Sequence, residues 1–479
     1  MHESVFSLPI SFGHVQIFGT YRFARTAISM SLRHESRRNR HFHEASLTAD
    51  NPRALRPVIT LNPVTPEAPA PGLRRPHASG RACAAFVSAA LLAASLPAQP
   101  AGPGADSLPS LIGHPPPARV PLDAHRKLGD LLFWSQAQRD AYFGHMETLF
   151  PVFVVRTGPK VRPLRSGHPL PIEAATVRGY MHEGHVEGLL VLQRGRVRLE
   201  RYGPQLGPHG RWDSFSIAKS VTSILVGAAI RDGYIESLED PLTRYLPELS
   251  GSAYDGVTIS QLLTMQSGVR WNEDYTDPDS DVARMESITV QPGQEIAVEY
   301  MKALPRESSP GEKWVYKTGE TSLVGALVRR ATHRSLAQYL SEKVWVPYGM
   351  QQDAYWISDP SGHEIGGCCL LMSLRDYGRF GEFVLEGGNP AVGAQWVEAA
   401  TASHVQFPGG AGYGYQWWTY PEGVFAARGI FGQSITIDPA RHLVIVILGS
   451  WPKASNEELW AQRARFVDAI RRAADGANR

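Results

Sequence analysis

The stretch "DSFSIAKSVTS" (213–223) sets Ser216 three positions ahead of Lys219 at the head of an oily run. Ile217, Val221, Ile224, Leu225 and Ala228 recur at helical spacing, and Gly233 supplies a C-terminal stop. On a helix, positions i and i+3 share a face, so the hydroxyl and the amine can meet. A lysine sunk among apolar residues resists protonation, because desolvation penalises its charged form. A serine at a helix N-terminus also sits where the dipole favours a developing oxyanion. The bland alternative is a solvent-facing lysine, and the rest of the chain has to choose between the two.

Working outward, "GLLVLQRGRVRLERYG" (188–203) reads as two strands joined through Arg194-Gly195. "TISQLLTMQSG" (258–268) opens with a Thr258/Gln261 capping box and runs to Gly268, and 321–345 carries helical periodicity. "GYGYQWWTY" and 424–449 are strand-rich, with Asp438-Pro439 as a turn, and 455–476 reads as a closing helix capped by Ser455/Glu458. Strands therefore come as hairpins at both ends of the body, with a mostly helical middle of about 235–365. The expectation is an antiparallel sheet with helices packed on it.

Composition narrows the function classes. Residues 1–81 hold 11 arginines, no lysine and 5 acidic groups, which leaves 37 basic against 41 acidic residues in the remainder. A nearly neutral body has no basic stripe for phosphates, which argues against a nucleic-acid partner. Cys83 stands apart from the adjacent Cys368 and Cys369. Bridging neighbours demands a strained eight-membered ring, so the three read as small buried hydrophobes and not as a disulfide framework or a metal site. "MHEGH" (181–185) lacks the H-E-x-x-H spacing of a zinc helix and reads as a polar surface loop. The G-x-S-x-G elbow is absent throughout.

The leader is a separate problem. Arg74, Arg75 and Arg81 precede about 15 mostly apolar residues, Ala82 to Leu96, followed by small residues through Ala101. That is the shape of a secretory signal peptide over 73–101, too short for a membrane span, so an exported protein without a stable span is expected. Residues 1–72 then read as an upstream extension, 102–130 as a Pro/Gly-rich linker and 131–476 as the catalytic body.

Two further motifs follow the serine in order. "GEKWVYKTGETSLVG" (311–325) brings Tyr316 to the start of a helix, where a phenol can relay a proton. "ARGIFGQSITID" (427–438) is a glycine-bearing strand able to present a backbone N–H. Together with "VTISQLLTMQSGVRWNEDYTD" and "YGYQWW", these segments resemble the class C β-lactamase-related serine hydrolases, and within them the 6-aminohexanoate-dimer (nylon oligomer) hydrolase branch. The resemblance covers roughly residues 130–475. It implies an α/β three-layer αβα sandwich with an antiparallel sheet and a helical subdomain, the site lying between them. It also implies Ser216 as the acylated nucleophile, Lys219 as its base, Tyr316 as proton shuttle, and the N–H groups of Ser216 and Ile430 as the oxyanion hole. Tyr275, Trp417 and Gly429 would contact a small-molecule ester or amide, and no metal or cofactor is implied.

Two departures bear on the substrate. The second motif is Tyr316-Lys317-Thr318 where penicillin-recognising relatives carry Tyr-x-Asn, and the third is Ala427-Arg428-Gly429 where Lys-Thr-Gly or His-x-Gly is usual. Ala427 cannot supply the cation that pairs with a β-lactam or peptide carboxylate, a loss of about 1.5–3 kcal/mol. An ester or simple amide needs no such cation. A weak β-lactamase or DD-peptidase, and a non-catalytic sensor domain, are the alternatives.

Overall fold

The computed structural model describes residues 127–476, together with a two-residue pairing of Ser11–Phe12 with Val15–Gln16. The rest of the upstream extension, the proposed signal peptide and nearly all of the linker lie outside the described residues.

The core is built on five strands: β1 (Val186–Gln193), β2 (Arg196–Tyr202), β3 (Phe425–Arg428), β4 (Ser434–Asp438) and β5 (Leu443–Gly449). They lie in the order β3-β4-β5-β1-β2, all antiparallel. Three two-residue strands (Val405–Gln406, Gly412–Tyr413, Trp418–Thr419) extend the β3 edge, and Arg165–Ser166 pairs parallel to β2, making nine strands. The β1–β2 hairpin turns at Arg194 and Gly195, both at positive φ (51° and 69°), as a tight two-residue turn requires.

Every residue of β1 and β5 is buried, and alternation divides them between two faces. Leu190, Leu192, Val444, Val446 and Leu448 enter the main core. Leu189, Val191, Leu443, Ile445 and Ile447 face the other way, onto the helix Ala174–Glu183 and the C-terminal helix. Four helices matter below: α1 (Ile217–Arg231), α2 (Thr318–Thr332), α3 (Leu374–Leu385) and α4 (Glu457–Gly476). Helix α4 packs Phe466 on Tyr180 at a ring separation of 3.7 Å. Helix α3 covers the opposite face, so helices sandwich the sheet as the sequence pattern implied.

The second, four-stranded antiparallel sheet has no clear sequence signal. It orders Val152–Val155, Ala354–Ile357, Leu370–Ser373 and Arg211–Asp213. Its strands are three or four residues long and come from three distant parts of the chain, so no hairpin signature announces it. One of them, Ala354–Ile357, falls within the segment read as helical.

Local expectations differ from the structure in instructive ways. Helix α4 is capped by Asn456, whose Oδ1 accepts from Leu459 N at 3.0 Å, while the Ser455 hydroxyl accepts from the Trp460 indole. The Thr258/Gln261 box forms, but its helix stops at Leu263 and not at Gly268. The 321–345 periodicity is interrupted by His333 in the left-handed region (φ 54°). Met181, His182 and Glu183 end the helix Ala174–Glu183 where a loop was expected. Cys368 and Cys369, read as separate thiols, are disulfide-bonded. Cys369 takes a positive φ (70°).

Helix α3 lies close on the sheet because two glycines, one turn apart, face it. A Cβ on Gly378 would stand 2.5 Å from Leu190, and one on Gly381 would stand 2.4 Å from Val444. The helix cannot take larger residues there without lifting. Gly381→Val is therefore expected to lose about 1–3 kcal/mol of stability, read as a lower urea midpoint at unchanged m-value.

Candidate active site

From Trp212 to Ala229 every residue is buried except Ser216, which is half-buried. Ser216 stands at the N-cap position of α1, yet its hydroxyl does not cap the helix. It receives the Lys219 amine instead, at 3.0 Å. Lys219 is 1% exposed, so this is not a snorkelling charge. Its Nζ also reaches Thr318 Oγ1 at 3.0 Å and the Gly367 carbonyl at 2.7 Å. Burial in this apolar helix pulls the amine down to about 8, while the charge of Glu273 opposes the fall.

Tyr316 arrives from the start of α2. Its phenol is electrostatically coupled to Ser216, and its ring lies 5.1 Å from Lys219 Nζ. Burial first, and the Glu273 charge second, push its phenol well above the ordinary range. The alternation at 316–318 sorts three side chains. Tyr316 and Thr318 face Ser216 and Lys219, while Lys317 turns away to pair with Glu320 at 3.3 Å, both fully buried. The Glu320 carboxylate also accepts from Ser267 and Tyr254. Lys317 is thus committed to the helix base.

The third motif closes the other side. A Cβ on Gly429 would stand 2.5 Å from the Ser214 carbonyl and 3.1 Å from the Phe215 Cβ, so the end of β3 abuts the approach to Ser216. Ile430 follows in a short 3-10 turn (Ile430–Gly432). Phe215 and Phe431, neighbours of Ser216 and Ile430 respectively, both take left-handed backbone, φ 44° and 58°. Their rings pack at 5.2 Å, and Phe143 meets both, at 4.8 and 5.2 Å. Left-handed φ at phenylalanine costs of order 1–3 kcal/mol and persists where packing over-determines it. The buried ring trio is that packing.

Among the predicted contact residues, Tyr275 is placed beside the site: its OH donates to Glu273 Oε1 at 2.9 Å, and its charge environment is coupled to Tyr316. Trp417 is not. It is fully buried and packs edge-on against Phe425 at 5.5 Å. The indole beside Tyr316 is that of Trp418, stacked at 5.8 Å, because adjacent side chains of an extended segment point to opposite faces. Trp314, Phe407, Tyr413 and Trp418 form one aromatic wall next to Tyr316, with Trp314 4.7 Å from Phe407 and Tyr413 5.1 Å from Trp418. Arg428 does not reach out as the missing cation; its guanidinium lies over Tyr420 and Trp460, 4.7 Å from each ring. Ala427 is fully buried within the strand.

Glu273 was missed. It is 4% exposed and accepts from Thr318 N at 2.8 Å, from the Thr318 hydroxyl, from Tyr275 and from the Trp271 indole. It stands a single hydroxyl, that of Thr318, away from Lys219. The signal was available only as a carboxylate two residues before Tyr275 in an otherwise polar loop. Among the described residues no cluster of three or more His, Cys, Asp or Glu could hold a metal.

Comparison with known proteins identifies relatives of the chain. The 6-aminohexanoate-dimer hydrolase of Paenarthrobacter ureafaciens is 30% identical over 317 residues, spanning 62% of this chain and 80% of that protein. The beta-lactamase of Escherichia coli K12 is 28% identical over 151 residues, which is 31% of this chain and 35% of its own length. A solved Bacillus anthracis structure, provisionally named a 6-aminohexanoate-dimer hydrolase, matches with a TM-score of 0.59 at 21% identity, over 69% of this chain and 93% of its own. A hydrolase with promiscuous acyltransferase activity matches with a TM-score of 0.52 at 16% identity, over 63% and 98%. These two structures share the fold. The sequence model of the beta-lactamase family matches residues 174–468, more than half of the chain. The chain belongs to the beta-lactamase family and is a serine hydrolase.

Proposed function

We propose that the protein is an exported hydrolase of small esters or simple linear amides, working through an acyl-enzyme on Ser216. The observation that carries this reading is the contact of a buried, deprotonation-prone amine with the one accessible hydroxyl of α1.

Neutral Lys219 takes the Ser216 proton as Oγ attacks the substrate carbonyl. The N–H groups of Ser216 and Ile430 receive the oxyanion, held by the Phe143–Phe215–Phe431 packing. Tyr316, beside Ser216 and Lys219, relays the proton taken up by Lys219 to the leaving alkoxide or amine. Water then repeats the sequence on the acyl-enzyme. Lys219 serves as base better than Tyr316, because burial lowers the amine and raises the phenol. The aromatic wall and Tyr275 support an apolar or linear substrate flank. Ala427 is buried at the position where a cation is usual, Lys317 is held by Glu320, and Arg428 packs on aromatic rings, which disfavours a β-lactam carboxylate as substrate group. Export rests on the apolar run 82–96 behind its arginines; among the described residues no helix is long and apolar enough to cross a membrane.

Hydrolysis of p-nitrophenyl esters, 6-aminohexanoate dimer, nitrocefin and a D-Ala-D-Ala peptide, assayed in parallel, is expected to favour the first two. Ser216→Ala should lower turnover by roughly 10⁴-fold or more. Wild-type-like turnover in that variant ends the acyl-enzyme reading, and strong nitrocefin turnover with stable fluorescent-penicillin labelling would favour a β-lactam enzyme instead. A second expectation concerns pH. A base whose pKa lies near 8 is protonated and inactive below it, so kcat/KM should climb with pH and level off above about 8. A profile flat from pH 6 to 9 would exclude a base that titrates near 8.

A further inference from the structure

Lys219 Nζ touches three oxygens, and their hydrogen-bond roles are not interchangeable. The Gly367 carbonyl can only accept. Thr318 Oγ1 could in principle donate or accept, but its proton is already directed at Glu273 Oε1. Toward Lys219 the hydroxyl can therefore only accept. Two N–H bonds of a neutral amine are thus assigned, to Gly367 and Thr318, and its lone pair is left for the third neighbour, Ser216 Oγ. The direction of this chain originates at a carboxylate that touches neither Lys219 nor Ser216.

We propose that Glu273, acting through Thr318, is a positioning residue that orients the Lys219 lone pair onto Ser216 and tunes the basicity of that amine. The proposal rests on the acyl-enzyme reading above and deepens it.

Glu273 is itself over-determined. The Thr318 N–H and hydroxyl, the Tyr275 hydroxyl and the Trp271 indole all donate to it, so its two oxygens hold four donors in a nearly dry setting. Its charge acts on Lys219 in the direction opposite to burial. The other groups facing the amine are few. Ser216 comes from α1 itself, Tyr316 and Thr318 from the start of α2, and the Gly367 carbonyl from the segment ahead of Leu370–Ser373. Tyr275 and Tyr413 are coupled to Glu273 and Tyr316, the Lys317–Glu320 pair stands behind them, and Cys368 and Cys369 are disulfide-bonded. Glu273 is the acid whose field opposes desolvation at Lys219.

Glu273→Gln removes the charge and places an amide N–H₂ where an acceptor stood. The Thr318 hydroxyl can then accept from the amide and donate to Lys219, which reverses the chain and occupies the lone pair. Two effects are expected together. The acid limb of kcat/KM should move to lower pH by about one unit, since a stabilising negative charge is lost. At pH above both limbs kcat should fall at least roughly tenfold, as for a misdirected general base. Thr318→Ala, which cuts the same link, should move the limb in the same direction, and Thr318→Ser, which keeps the hydroxyl, should hold it at the wild-type position.

The experiment is the pH profile of p-nitrophenyl ester hydrolysis by the full chain and these three variants, with Ser216→Ala alongside and circular dichroism to confirm folding. Limbs shifted down in Glu273→Gln and Thr318→Ala, restored in Thr318→Ser, support the assignment. An unmoved limb in folded Glu273→Gln overturns it. If Glu273→Gln does not fold, an unmoved limb in Thr318→Ala overturns it equally. Loss of activity in Ser216→Ala with unmoved limbs removes only the role of Glu273. Retained activity in Ser216→Ala removes the acyl-enzyme reading, and this inference with it.

Discussion

The site depends on one constraint, the enclosure of a lysine amine by the apolar body of α1. An ammonium buried at 1% exposure is costly unless every proton finds an oxygen, and a neutral amine is the cheaper form. Three oxygens surround Lys219, enough to satisfy either state. The surroundings therefore permit protonation without requiring it, and that is the condition a reversible base must meet. Ser216 is the single break in the buried stretch 212–229, so the one hydroxyl of that stretch open to substrate is the one the amine holds.

Everything else positions partners around that amine. Helix α2 begins at Thr318, and the extended residues just before it turn Tyr316 toward Ser216 and Lys317 away from it, into the core toward Glu320. The buried Lys317–Glu320 pair, with Ser267 and Tyr254, anchors the base of that helix. Removing one partner of such a pair would strand a charge in the core. On the sheet side, Gly429 permits β3 to press against Ser214 and Phe215, and the three phenylalanine rings hold two left-handed residues in place. Phe143 comes from the N-terminal segment, so residues far from the motifs help aim the backbone amides.

Much of this was legible beforehand because the informative signals were local. The helix carrying Ser216 and Lys219, the β1–β2 hairpin and the β4–β5 turn depend on contacts within a few residues, where periodicity and turn chemistry suffice. The four-stranded sheet was not legible, since its short strands pair across long separations. Trp417 and Trp418 show the limit at single-residue scale: the extended segment was recognised, but which of two adjacent indoles faces Tyr316 depends on register against β3. The cap of α4 moved from Ser455 to Asn456 for a similar reason, with Ser455 engaged by Trp460 instead. The bonded Cys368–Cys369 pair was not legible, because adjacency in the chain argues against a bridge.

The sequence by itself determined the chemistry that could be offered: a serine and a lysine one turn apart on an oily helix, a tyrosine ahead of a second helix, and alanine where a cation is usual. These are properties of residue type and short spacing. Only the tertiary structure decided how that chemistry is wired. Glu273 reaches Lys219 through Thr318, and Lys317 turns away to Glu320. Each outcome depends on which side chains meet across tens of residues. Hydrogen-bond direction is a property of such meetings, because a hydroxyl becomes an obligate acceptor only once its own proton has been claimed by another part of the chain.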